Sequence, residues 1–600
     1  MSDTQQVPQR SEMAIEYTWD LTPVYANDQA WEADLARLEG MLPDISSMQG
    51  TIGQGAATLL KLLQLRDDIS SLLWQVYVYA SRRYDSDTGD SQGQALNERA
   101  NSLASRVSES MAFIDPEILA LSDETIATWQ QQEPGLQLYA YALQQLMQQR
   151  AHVRSAEIEA IMAAFGDITR ASSETFEILT NADLVFPSIT DEQGQEIKLS
   201  HARYSRLLEN QDRRVRQDTF KHYYSAYRGI RNTLATTLAA QVRSQVLNAR
   251  LRNYESSLHA ALAPNDIPVE VYHNLISTVN ANLPRLHRYM SWRKRYMQLD
   301  ELHTYDLYVS LVPAADVPVP YAEAIPMMSA AFQPLGKDYG AAITKTFASR
   351  WIDVYENQGK RSGAYSDGSY TTAPYILLNY QDRLRDAFTL AHELGHSMHS
   401  YFTRHNQPFV YGNYTIFVAE VASTLNESLL TDHLLKTRDN AALRKYLIMQ
   451  QLEDIRGTLF RQTMFAEFEL DLHRRVEAGE PLTADTISQP YLELVARYHG
   501  PDVTLDDELA LEWSRIPHFY YDYYVYQYAT GISAALALSK QIMHEGQPAI
   551  DRYLHFLSSG SSKSSIELLR EAGVDMTTPA PIQAAMDSFD SLMDELEAMP

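Results

Sequence analysis

The chain contains no cysteine. Disulfides, thiolate metal sites, iron–sulfur clusters and cysteine nucleophiles are all excluded by that one absence. Exported proteins also do without cysteine, so its absence suits a reducing compartment without fixing one. Long hydrophobic runs are missing as well. No stretch approaches 18 consecutive apolar residues, so no transmembrane helix is expected. The opening MSDTQQVPQRSEMAIEYTWDL is polar and lacks the apolar core of a signal peptide. Basic residues are scarce: 50 Lys and Arg against 77 Asp and Glu give a formal charge of −27. That balance repels nucleic acid and anionic membranes and favours solubility. A cytoplasmic protein with neither nucleic-acid nor membrane partners is expected. Nothing in the chain sets an oligomeric state, and a monomer is compatible with it.

Glycine and proline number only 24 each in 600 residues, and 45% of the chain is apolar. Large cores can therefore form, and helix can run for long stretches between breaks. LEGMLPDISSM, the run from Thr58 to Tyr84 and the run from Glu157 to Thr180 carry apolar residues at i, i+3, i+4 spacing. The pattern changes near Val185. There LVFPSIT and IKLSH flank the Gly-containing DEQGQE, which predicts a β-hairpin, with Ser200 capping the next helix. A domain boundary is placed there, giving an N-terminal helical lobe over 1–200 and a second domain over 201–590. Residues 303–380 hold most of the strand signals. Pro313, Pro318, Pro320 and Pro326 punctuate them, and Asp367-Gly368 marks a turn before a strand at Tyr375–Tyr380. From about 382 onward the pattern returns to helix.

Ala391-His392-Glu393-Leu394-Gly395-His396 contains H-E-x-x-H. On a helix the two histidines lie one turn apart on the same face, so both imidazoles can reach one ion. Glu393, offset by about 100°, is placed to act on a water at that ion rather than to ligate it. Leu384, Phe388, Leu390, Ala391 and Leu394 give this segment an apolar side. The plainer alternative is a helix with two ordinary histidines, but three polar groups among apolar neighbours are costly unless partnered. A catalytic zinc site needs a third protein ligand. The H-E-x-x-H-x-x-G-x-x-H pattern is absent, since residue 399 is His and residue 402 is Phe. IFVAEVASTLNESLL instead offers Glu420 and Glu427 on one face of a following helix. His399 shares the face of His392 and is expected to be a hydrogen-bonded neighbour. Asp386 either orients a ligand imidazole or belongs to the first turns of the helix.

A second cluster is WSRIPHFYYDYYVYQYATG, residues 513–531. Tyr521, Tyr524 and Tyr528 are spaced to share one face if the segment is helical. Such a stripe is more often core packing, yet six tyrosine hydroxyls over 520–528 need many partners if buried.

Taken together, TLAHELGHSMHSYF, FVAEVASTLNESLL, GKRSGAYSDGSYTTAPYILLNY and WSRIPHFYYDYYVYQYATG resemble the oligoendopeptidase F group of the M3 (thimet-type) zinc metallopeptidases. The resemblance runs from WDLTPVY near residue 19 to about residue 580. It implies a mainly α fold: a two-lobed helical shell around a deep channel, with a small β-sheet next to the zinc-binding helix. It also implies one Zn2+ per chain held by His392, His396 and Glu420, with Glu427 beside them and Glu393 as general base and acid. His518, Tyr521 and Tyr528 are implied at the oxyanion, and Tyr524 and Tyr375 at the substrate. In the thimet branch a Gly-Gly pair separates that histidine from its tyrosines, and this chain lacks it. The activity implied is internal cleavage of short peptides. An exopeptidase on the same fold and a non-catalytic peptide-binding scaffold are the alternatives.

Overall fold

The computed structural model describes residues 7–312 and 317–599. Pro313 and the first six residues of the polar N terminus lie outside them. Helices dominate, as expected. Among the described residues the sheets are small: one hairpin, one two-residue parallel pair and one three-stranded sheet.

The chain packs as two compact units, each assembled from three separate segments. Met1–Arg150, Asp316–Thr437 and Leu538–Gly573 form the first; Ala151–Ala315, Arg438–Ala537 and Val574–Pro600 form the second. The change of pattern near residue 200 falls inside the second unit and does not coincide with an edge of either.

In the first unit, Asn27 accepts the Ala30 N–H at 3.0 Å and starts the helix Asp28–Ser46. Trp31, Leu35, Leu38, Leu42 and Ile45 recur at helical spacing and are all buried. Burying a side chain of leucine size contributes roughly 1.5–3 kcal/mol, so this stripe fixes the helix against its neighbours. The long helix Ala56–Ser86 lies beside it, and its Val76 carbonyl accepts the Trp31 indole N–H at 2.9 Å.

The three-stranded sheet of this unit has Tyr375–Tyr380 at its centre. Ile352–Tyr355 pairs with it in parallel, and Tyr365–Asp367 pairs antiparallel on the other side as an edge. A central strand covered on its faces reads as a continuous apolar run, which explains YILLNY. The sheet stands next to the helix Leu384–Asn406: Ser366 of the edge strand bonds Ser397 of that helix at 2.7 Å. The region expected to be strand and loop also contains two helices, Tyr321–Ala331 and Gly336–Ala348. Pro320 sits at the N-cap of the first, where proline is compatible with a helix start, and Pro326 lies inside it.

In the second unit, Ser188–Thr190 and Glu196–Lys198 form the expected antiparallel hairpin. Gly194 takes the left-handed turn position (φ 82°), and the Asp191 carboxylate accepts the N–H groups of Gln193 and Gln195. Ser200 caps the next helix by accepting the Arg203 N–H at 3.3 Å. The 39-residue helix Arg213–Leu251 follows, and Arg216 on it pairs with the fully buried Asp306 at 2.7 Å.

Candidate metal centre

The site in the first unit starts from two crossing helices. Leu384–Asn406 carries the H-E-x-x-H segment; Leu384, Ala387, Leu390, Ala391, Leu394 and Met398 form its buried side. Asp386 accepts the N–H groups of Gln381 (2.9 Å) and Arg383 (3.0 Å), so it caps the helix and orients no imidazole. Ile416–Thr437 returns across it with no room to spare. A Cβ on Gly395 would stand 2.5 Å from both the Ala422 carbonyl oxygen and the Ser423 Cα. Asn426 fastens the crossing by donating to the Ala391 carbonyl at 3.2 Å and accepting from the buried Tyr339 hydroxyl at 2.8 Å.

That crossing brings three donor atoms together. His392 Nε2 and His396 Nε2 are 3.2 Å apart, and Glu420 Oε2 lies 3.4 Å from each. Tetrahedral coordination with bonds of about 2.05 Å has ligand–ligand edges of about 3.3 Å. The triangle therefore fits a tetrahedral ion with one corner left open. Glu427, the other acidic candidate, sits behind the first ligand: its Oε1 accepts from His392 Nδ1 at 2.6 Å. This bond keeps a proton on Nδ1, so that once Nε2 gives up its own proton its lone pair faces the triangle. Ser423 donates to Glu420 Oε2 at 2.8 Å.

Charge follows geometry. Burial works against a charged His392, but the Glu427 bond and the surrounding carboxylates outweigh it and lift it to about 9. Burial also opposes the Glu420 carboxylate, yet the His396 bond and both imidazoles hold it down at about 2. Glu393 differs. It is 5% exposed, burial raises its pKa, and its Oε2 has no hydrogen-bond partner. A buried carboxyl oxygen without a partner, next to a ligand triangle, is an acceptor awaiting a donor.

His399 behaves otherwise than expected. It stacks on Tyr414 at 3.6 Å and its Nδ1 has no hydrogen-bond partner, so the contact is aromatic; burial drops its pKa to about 3. Tyr375 also departs from expectation. It is 1% exposed, its ring packs edge-on against Trp19, and its hydroxyl donates to the Asp20 carbonyl. Both neighbours of its strand are occupied, so neither its side chain nor its backbone is offered to a substrate. The half-buried edge strand Tyr365–Asp367 is the alternative. Arg82 pairs with Asp367 at 3.1 Å, and the Tyr365 hydroxyl donates to Asp85 at 2.6 Å.

The tyrosine segment belongs to the second unit and divides in two. Tyr520, Tyr523 and Tyr526 are buried packing residues. Tyr521, Tyr524 and Tyr528 gather instead around His518, with ring centroids 5.6, 6.1 and 6.0 Å from it. Tyr528 and His518 Nε2 form a long hydrogen bond of 3.5 Å, and burial lowers the histidine pKa. The grouping matches helical spacing, but the helix begins only at Tyr526. Tyr521 and Tyr524 are placed by an irregular turn.

Residues 206–588 match the family model described as peptidase family M3, and residues 117–186 match that of oligopeptidase F. The chain belongs to peptidase family M3. This M3 metallopeptidase is 45% identical to oligopeptidase PepF of Bacillus subtilis (strain 168), over 99% of this chain and 89% of that protein. It is 40% identical to the plasmid oligoendopeptidase F of Lactococcus lactis subsp. cremoris, over 98% of each. A crystal structure of oligoendopeptidase-F from Enterococcus faecium superposes with a TM-score of 0.74 at 41% identity, covering 95% of this chain and 99% of that one. A crystal structure from Chlamydophila abortus reaches 0.94 at 37% identity, over 99% and 100%.

In this M3 peptidase His392, His396 and Glu420 thus come together as a group with the donor atoms and spacing to hold a metal ion, and peptide hydrolysis is its activity. Three residues around this group were not singled out by the motif reading: Gly395, Asn426 and Tyr414. For Gly395 a signal existed. A glycine inside a helix costs roughly 1 kcal/mol relative to alanine, so its presence pointed to a close approach.

Proposed function

We propose that the protein is a zinc-dependent endopeptidase of short oligopeptides that works in cytoplasmic peptide turnover. One observation supports this most directly. His392, His396 and Glu420 form a triangle of tetrahedral dimensions, and the unpartnered Glu393 Oε2 lies on the same helix. Two imidazoles and a carboxylate, with no thiolate in the chain, suit one zinc ion. When bound, zinc supplies Lewis acidity toward the scissile carbonyl and toward a water. Glu393 takes a proton from the attacking water as the carbon–oxygen bond forms, then delivers it to the amide nitrogen as the carbon–nitrogen bond breaks. Its raised pKa favours both halves of that exchange. Glu427 holds His392 in the ligating tautomer.

In this reading His518, Tyr521, Tyr524 and Tyr528 contact the substrate, and His518 or Tyr528 donates to the developing oxyanion. Such a donor is worth about 3 kcal/mol of barrier. Residues 201–590 carry the catalytic groups. The edge strand Tyr365–Asp367 receives an extended peptide by backbone pairing, which favours internal bonds over termini.

The test combines metal analysis with a blocked, fluorescence-quenched peptide. About one zinc per chain and internal cleavage are expected. Glu393→Gln should keep the metal and lose turnover by at least a thousandfold. Normal turnover after exhaustive chelation would end the zinc proposal, and cleavage confined to unblocked termini would replace the endopeptidase with an exopeptidase.

A further inference from the structure

The segment that follows His518 holds two consecutive non-glycine residues in the left-handed region, Asp522 (φ 50°) and Tyr523 (φ 59°). Crowding between Cβ and the carbonyl oxygen disfavours this backbone in residues other than glycine, less in aspartate than in tyrosine, and two in succession are rarer still. A pair of such residues persists only where surrounding groups hold it.

One group does so directly. Glu469, on the helix Arg461–Glu477, accepts the Tyr523 N–H with Oε1 at 2.7 Å. It is 1% exposed, and its Oε2 has no hydrogen-bond partner. No ion pair reaches it among the described residues. A carboxyl in that setting contributes less to packing than an aliphatic side chain of the same size, so its place calls for another reason. Its surroundings lock Tyr523 further. His473 bonds the Glu469 carbonyl through Nδ1 at 2.8 Å and lays its ring against Tyr523 at 4.4 Å. The Tyr523 hydroxyl meets Ser257 at 3.1 Å, Ser257 donates to Glu477 at 2.7 Å, and Tyr272 packs edge-on at 5.5 Å. Burial, with the charge of Asp522 added and the Tyr523 N–H opposing, pushes Glu469 up to about 8. It is therefore mostly uncharged at neutral pH and needs no cation.

Tyr523 is thus a fixed foot between Tyr521, which is exposed, and Tyr524, which is half-buried. Tyr521 is 48% exposed, and Tyr521 and Tyr524 stand beside His518 on either side of the turn. We infer that Glu469 is a positioning residue for this cluster: by holding the Tyr523 N–H, it fixes the left-handed turn that sets Tyr521 and Tyr524 around His518. The inference rests on the reading, proposed above, that the cluster contacts the substrate.

The experiment compares Glu469→Gln and Glu469→Leu in the full-length, metal-loaded enzyme. Three readouts are taken: hydrogen exchange of the Tyr523 amide, kcat and KM on a blocked peptide, and metal content. The Gln amide oxygen still accepts the N–H, so exchange and kcat should stay within about threefold of wild type. Leu offers no acceptor. Exchange at Tyr523 should then accelerate at least tenfold while residues 526–545 stay protected. The value of kcat should fall at least tenfold, with metal content unchanged. A purely structural role would lower thermal stability and leave kcat alone. Wild-type exchange or wild-type kcat in the Leu variant overturns the inference. If that variant does not fold, the Gln variant decides: retained protection and kcat support the anchor, and loss of either overturns it. His518→Ala and Tyr528→Phe are measured alongside. Wild-type kcat in both would remove the cluster from catalysis and the functional half of the inference with it, while exchange would still judge the anchor.

Discussion

Gly395→Ala adds one methyl group at the tightest point of the metal centre. Ordinary contact begins near 3.4 Å, and the new Cβ would stand 2.5 Å from the Ser423 Cα and the Ala422 carbonyl oxygen. Both are backbone atoms of the return helix, so no side chain can swing aside. The helices must separate by about 0.9 Å (3.4 − 2.5) at the crossing. Ala gains about 1 kcal/mol of helix propensity over Gly, while forced overpacking typically costs about 1–3 kcal/mol, so net destabilisation is expected. The larger effect falls on the metal. Glu420 rides on the return helix and the histidines on the other, so separation stretches the two 3.4 Å edges of the triangle. Bonds of about 2.1 Å do not absorb a shift approaching 1 Å. Metal affinity, measured by competition with a chelator, should fall at least tenfold, and activity at limiting zinc should fall with it. Gly340→Ala is the control: it lies inside the helix Gly336–Ala348 with nothing within 4 Å of its Cβ position. That variant should gain stability and keep the metal. If Gly395→Ala binds zinc as tightly as wild type, the crossing is not the rigid frame of the site.

Glu427→Ala removes the acceptor for His392 Nδ1 and should weaken metal binding roughly 10–100-fold without removing a ligand, as the same competition assay would register. Stability should respond to pH through Glu469, whose pKa is raised to about 8 in the folded chain against about 4.3 unfolded. Between those values the folded state holds a proton that the unfolded state has lost, so stability falls as pH rises through the window and levels off above it. Melting curves of wild type and Glu469→Gln should therefore diverge in favour of the variant between about pH 5 and 8; parallel curves would refute the assignment. Peptides blocked at both ends should be cut internally, while a stable folded domain should survive, because unfolding costs about 5–15 kcal/mol before its chain can pair with an edge strand. Rapid digestion of the folded domain, followed by mass spectrometry, would count against that mode of recognition.

Local chemistry was legible and long-range arrangement was not. The i, i+4 spacing of His392 and His396 is a property of one helix, and the folded chain keeps it. The choice between Glu420 and Glu427 depends on how two helices cross, which no spacing encodes; the crossing gives Glu420 the Nε2 side and Glu427 the Nδ1 side. Tyr375 was misread because strand order places it at the centre of a sheet whose edge lies earlier in the chain. Tyr521, Tyr524 and Tyr528 were grouped correctly on the wrong assumption of a continuous helix. The left-handed pair Asp522 and Tyr523 carries no glycine to announce itself, since its support comes from a glutamate more than fifty residues away. Prolines concealed the helices between Tyr321 and Ala348, because a proline at a helix start resembles one in a loop.

The metal helix also bears on how the protein is made. Its far end is fastened to a segment synthesised much later: Thr403 donates to the Leu557 carbonyl, Gln407 to that of Ser558, and Phe556 lies against His399. The unit that contains it closes only with Gly573, 153 residues beyond Glu420 (573 − 420). At a ribosomal rate of roughly 5–20 residues per second, His392, His396 and Glu420 all exist for about 8–30 s before that buttress is available. During this interval the newborn chain presents two imidazoles and several carboxylates on an unfinished scaffold, so the triangle of donor atoms is buttressed only once the later segment is in place.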